Sequence, residues 1–101
     1  MSATDINKEN FSDVIENNDI VFMHFWAPWC GPCRAFGPVY EKVSEEHPDI
    51  VFGKCNTEEE RELAGALQIQ AIPTLMAFRE KILVFRRSGA LPEPAFKELV
   101  D

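Results

Sequence analysis

Cys30 and Cys33 stand with two residues between them in Trp29-Cys30-Gly31-Pro32-Cys33. Two thiols at this spacing can close a small disulfide ring if the first ends a strand and the second opens a helix. A helix start offers free N–H groups and the positive end of the dipole, and both favour a thiolate, which makes the first cysteine a nucleophile near neutral pH. Gly31 lets the turn form and lets another chain approach closely. Pro32 presets the backbone for a first helical turn and has no N–H to leave unsatisfied. A pair in this setting reads as redox-active. The other chemistry open to it is half of a zinc site, which needs a second Cys or Cys/His pair at ligand spacing. Only Cys55, His24 and His47 remain for that, and they are scattered along the chain.

The turn needs a strand before it and a helix after it. Ile20 to Trp26 is too continuously apolar to alternate and reads as a central strand buried on both faces, interrupted only by His24. Arg34 to His47 is compatible with a helix, with Phe36, Val39, Tyr40 and Val43 at helical spacing and Pro38 inside it, where one backbone bond is lost. Upstream, Asn7 is a good N-cap for a first helix, with Ile6 placed to staple onto Phe11 and Asn17-Asn18-Asp19 as its end. Downstream, Ile50 to Asn56 reads as a strand, and Thr57-Glu58-Glu59-Glu60 as a capping box before a helix that buries Leu63, Ala64 and Leu67. The acids of that run otherwise form a solvated face. Ala71-Ile72-Pro73 leads into the strand Thr74 to Phe78. Arg79-Glu80-Lys81 joins it to an antiparallel Ile82 to Arg86, through a turn without the usual Gly or Asn that leaves the register open. Ser88-Gly89-Ala90 ends that strand, and Pro92 to Val100 forms a last helix with Ala95, Phe96 and Leu99 inward. Strand–helix alternation followed by a hairpin and a helix gives an α/β class: a central mixed sheet with helices on both faces.

The chain has 101 residues, of which 46% are apolar, and a formal charge of −7. That length suits a single domain over 1–101, and that charge disfavours nucleic acid and anionic lipid as partners. Met1 to Asn10 is polar, with no apolar signal core, and no window is long enough for a membrane-spanning helix. Three cysteines without an export signal imply a reducing, cytoplasmic setting, where a CxxC pair is catalytic rather than structural. Alternation in the strand sets Cys55 on the opposite face from Lys54, buried and inert, with a regulatory thiol as the lesser alternative.

Trp29 through Cys33, preceded by Phe25-Trp26-Ala27-Pro28 and followed far downstream by Ile72-Pro73-Thr74, resembles the thioredoxin family, and the likeness spans the whole chain. The resemblance implies the thioredoxin fold and a protein-disulfide reductase of electron-carrier type. It implies Cys30 as nucleophile and Cys33 as the residue that resolves the mixed disulfide. Trp29, Ile72, Pro73, Gly89 and Ala90 match positions around the family's substrate groove, next to Gly31 and Pro32, with Pro73 cis. The Gly-Pro dipeptide between the cysteines matches reducing members. No bound metal or organic cofactor is implied, since the dithiol carries the electrons. The implied partners are disulfide-containing proteins and a separate thioredoxin reductase, commonly an NADPH-driven flavoenzyme, with the chain itself a monomer. Service to one dedicated partner, or a role as a binding module on the same scaffold, are the rival readings. Trp26 packs beside the active turn or simply fills the core.

His24 departs from the family pattern. Most members carry a buried aspartate there, held to exchange a proton with the second cysteine, with a lysine matching Lys54 nearby. A neutral His24 can accept a proton from Cys33, or serve only as a core histidine. Burial among Val21, Phe25 and Trp26, with the Lys54 ammonium near, should lower its pKa.

Overall fold

The computed structural model describes residues 3–100. Its elements run β1 (Ala3–Asp5), α1 (Phe11–Glu16), β2 (Ile20–Trp26), α2 (Gly31–Glu45), β3 (Val51–Asn56), α3 (Arg61–Ala66), β4 (Thr74–Arg79), β5 (Ile82–Ser88) and α4 (Glu93–Val100). The five strands form one sheet in the order β1-β3-β2-β4-β5. β1 and β2 run parallel to β3, while β4 is antiparallel to both β2 and β5. β2 is therefore central, as its apolar run, interrupted only by His24, requires. Its side chains alternate between two cores. Val21, Met23 and Phe25 point to one face, where Ile15 of α1 and Leu63 of α3 cover them. Phe22 points to the other, under Phe36, Tyr40 and Val43 of α2 and Phe96 of α4. The α/β architecture with helices on both faces is the one expected.

Several local expectations are corrected. The N-terminal segment supplies an edge strand, β1, which its polar residues did not announce, and Ile6 follows it into the core with its N–H donating to Lys54 O at 2.8 Å. The first helix begins at Phe11, not after Asn7, because Asn7 and Asn10 satisfy each other in a turn: Asn7 Oδ1 accepts from the N–H of Asn10 at 2.9 Å, and Asn10 Oδ1 from the N–H of Asn7 at 2.8 Å. Thr57 does not cap α3, for its hydroxyl donates to Trp26 O at 3.2 Å, and Glu60 at the cap position makes no side-chain cap bond. Ala95 is exposed rather than inward; Leu91, Phe96 and Leu99 set the buried side of the last segment. α2 passes through Pro38 and starts at Gly31, so Cys33 lies inside the first turn instead of opening the helix.

The hairpin register follows from its turn. Arg79 pairs with Ile82, leaving Glu80 and Lys81 as a two-residue loop with φ of 50° and 72°. That left-handed pair matches the sheet's twist, but side chains with a Cβ adopt it at a cost. Replacing Glu80-Lys81 by Asn-Gly should raise stability by about 1 kcal/mol. A urea midpoint that stays or falls would show the loop to be unstrained.

Candidate active site

The strand-to-helix turn places Cys30 as the N-cap of α2, in extended backbone (φ −88°, ψ 110°), and its Sγ accepts the N–H of Cys33 at 3.2 Å. The two Cα atoms are 5.2 Å apart and the sulfurs lie at disulfide distance. Pro32 has no N–H to offer, so the Cys33 amide is the first-turn donor aimed at the Cys30 sulfur, at the positive end of a 15-residue helix. A negative Cys30 sulfur is stabilised by that bond and by the dipole.

Cys30 and Cys33 pack with Ala27, Trp26 and Ile72 in a small apolar cluster of their own. Both cysteines are enclosed, at 4% and 2% exposure, so an exposed first and buried second cysteine is not the distinction between them. Trp29, by contrast, is 66% exposed, and with Ile69, Ala71 and Ile72 it lines a shallow groove beside the turn. The Ile72–Pro73 bond is cis, as the resemblance implied. Pro73 O accepts from Gly89 N at 2.8 Å, and the hydroxyls of Thr74 and Ser88 meet at 3.2 Å, which stitches the proline loop to the end of β5. Gly89 holds φ +100°, a conformation that favours glycine. Gly31, Pro32 and Ala90 are exposed. Thr57, Ile69, Gln70 and Ala71, all lining the groove, were missed in sequence, because no motif marks residues gathered from two separate loops.

Behind Cys33, His24, Trp26 and Lys54 help to line a cavity of about 200 Å³. His24 is 4% exposed and stands opposite Lys54 in the β2–β3 ladder. Its neighbours are not Val21 and Phe25, which alternation turns to the far face, but Phe36 and Tyr40, with ring centroids 5.0 and 5.3 Å away. Burial first, and then the Lys54 charge, lower its pKa to about 4, in the direction expected. The Lys54 ammonium is 3.9 Å from the Asp5 carboxylate. Cys55 is fully buried on the opposite face, and burial, aided by the charge of Glu60, pushes its thiol up to about 12. Among the described residues no three His, Cys, Asp or Glu side chains gather to hold a metal ion, and no helix is long and apolar enough to cross a membrane.

A family model described as thioredoxin matches residues 2–101. The chain belongs to the thioredoxin family. It is 52% identical over 99 residues to a Streptomyces coelicolor protein named "Putative thioredoxin 2", covering 98% of this chain and 74% of that one. Thioredoxin C-3 of Corynebacterium nephridii is 37% identical over 102 residues, covering 100% and 70%. Among solved structures, a single-residue mutant of thioredoxin from Halobacterium salinarum superposes with a TM-score of 0.90 at 32% identity, covering 98% of this chain and 88% of that one. Plasmodium falciparum thioredoxin gives 0.88 at 30% identity, covering 96% and 95%. With the thioredoxin fold and a CxxC pair at disulfide distance, the chain is a thiol–disulfide oxidoreductase of the protein-disulfide reductase type.

Proposed function

We propose that the chain is a monomeric, single-domain cytoplasmic electron carrier whose reduced Cys30 attacks protein disulfides and whose Cys33 releases the product. Cys30 Sγ forms a bond to one substrate sulfur while the other leaves as a thiolate. Cys33 loses its proton and attacks Cys30 Sγ, the second substrate thiolate departs, and the Cys30–Cys33 ring is left oxidised. Two electrons have then moved from the dithiol to the substrate. Trp29, Gly31, Pro32, Ile72, Pro73, Gly89 and Ala90 receive an extended substrate segment at the exposed groove. His24, with Trp26 and Lys54 around it, handles the proton of Cys33 from the cavity behind. A thioredoxin reductase driven by NADPH returns the ring to the dithiol. The observation that carries this reading is the Cys30 sulfur at the N-cap, accepting the Cys33 amide next to the exposed Trp29.

Insulin reduction tests it. The protein should accelerate precipitation of the insulin B chain with dithiothreitol, and should do so with NADPH and a thioredoxin reductase alone. Failure with both reductants would leave only a binding role for the fold. Success with dithiothreitol alone would point to a different recharging partner.

A further inference from the structure

Among the described residues, the buried side-chain polar atoms without a hydrogen-bond partner in the protein are His24 Nε2, Trp26 Nε1 and both carboxylate oxygens of Glu41. All three residues line the same cavity of about 200 Å³ behind Cys33. Buried polar atoms are almost always hydrogen-bonded, and a space of this size lined by polar groups admits water. The sequence of α2 sets Cys33, Gly37 and Glu41 at successive intervals of four, on one face of the helix. Helical side chains lean toward the N-terminus, which directs the Glu41 carboxylate toward Cys33. Eight residues of helix rise about 12 Å, too far for direct contact but within reach of a short file of water. Gly37 lies between them and lines the cavity, and a Cβ built there would meet no atom within 4 Å. The missing side chain at residue 37 keeps the way open.

We propose that Glu41 is the terminal proton acceptor for Cys33, reached through water in this cavity, an inference that rests on Cys33 being the resolving cysteine. The other groups facing the cavity do not hold a proton from a thiol. Lys54 and Arg34 are donors without an acceptor, and Trp26 is a donor only. The Tyr40 hydroxyl donates to Gly53 O at 2.7 Å, and burial, then the charge of Glu41, push its pKa well up, so it keeps its own proton. His24, lowered to about 4, is neutral near pH 7, and its unpaired Nε2 opens onto the same water, so it can relay the proton toward the Glu41 carboxylate, both of whose oxygens are unpaired. In the step, the Cys33 proton moves through water to a Glu41 oxygen, and the freed electron pair on sulfur forms the bond to Cys30. The substrate sulfur leaves with its own pair and takes a proton from solvent, to which Glu41 later returns the one it accepted.

The test uses reduced protein and 5,5′-dithiobis(2-nitrobenzoic acid), which releases one coloured thiolate on attack by Cys30 and a second on resolution by Cys33. Glu41→Gln should leave the first release within about twofold of wild type and slow the second at least about tenfold at pH 6.5. The two proteins should converge by about pH 9.5, above the ordinary range of a free thiol, where no acceptor is needed. Glu41→Asp should recover part of the loss. Gly37→Leu, which fills the open space, should reproduce the same pH signature with no fall in the denaturation midpoint. An unchanged second release at pH 6.5 would overturn the proposal, and so would a loss equal at every pH, which marks altered packing. Cys33→Ser separates the underlying reading: it must give the first release and never the second, and if it gives both, the order of the cysteines is wrong whatever Glu41 does.

Discussion

Cys30→Ser brings disulfide reduction down to the uncatalysed background, while Cys33→Ser completes the first attack and stalls as a mixed disulfide. The reason is the difference in position, since enclosure does not tell the cysteines apart. Cys30 lies at the mouth of the helix, where the Cys33 amide donates to its sulfur, next to the exposed Trp29 and its groove. Cys33 is inside the first turn, with its back to the cavity. A substrate disulfide docking at the groove meets Cys30, and the thiol one turn away is then the nearest available nucleophile for resolution. Mass spectrometry of each variant after reaction with a model protein disulfide reads the result directly. A stable adduct through Cys33 in the Cys30→Ser protein would reverse the assignment.

Acidification should destabilise the protein through His24, and His24→Leu should remove that sensitivity. The folded state holds the imidazole neutral down to about pH 4, whereas the unfolded chain protonates it near the ordinary 6.5. Between those values the unfolded chain binds the extra proton. Stability is therefore intact above about pH 6.5, declines as pH falls, and levels off for this group below about 4. The full loss is about 3–4 kcal/mol, taking about 1.4 kcal/mol for each pKa unit. Carboxylates such as Glu93, whose pKa is lowered by a hydrogen bond from Lys42 and a further bond from Lys97, also lose stability on acidification. They do so in both proteins and cancel in the difference. Urea midpoints of wild type and His24→Leu at intervals from pH 7 to 4.5 should diverge steadily, with the variant the more stable at the acid end. Parallel curves would mean that His24 is free to ionise in the folded protein.

What was legible in the sequence, and what was not, divides along the range of the forces involved. β2 could be read because a run from Ile20 to Trp26 has no place except a strand covered on both sides. The redox turn could be read because Cys-Gly-Pro-Cys carries its chemistry and its backbone preferences in five adjacent letters with Trp29. β1 could not: Ala3-Thr4-Asp5 has no apolar pattern, and it is a strand only because the open edge of β3 takes its backbone bonds. The cap at Thr57 failed for a related reason, since a residue 31 positions away in sequence, Trp26, offered its carbonyl to the same hydroxyl. The register of the last hairpin was hidden by two ordinary side chains in left-handed backbone, tolerated because the β4–β5 pairing fixes them. The burial of His24 beside Lys54 is legible in its strand, but its aromatic cage depends on which way the pleat turns. Glu41 is not legible in the sequence, because nothing in an isolated helix reveals a cavity.

The order of strands across the sheet also governs how the chain can be assembled as it leaves the ribosome. β2, at the middle, is made before either of its neighbours, β3 and β4. No ladder involving β2 can form until residues 51–56 have emerged, and the antiparallel half must wait for residues 74–79. The segment carrying Cys30 and Cys33 is thus synthesised while the surfaces that enclose it, including Ile72, do not yet exist. A nascent chain therefore passes through a stage in which both thiols are open to solvent and to any oxidant nearby, and the last part of the enclosing cluster to arrive is the proline loop.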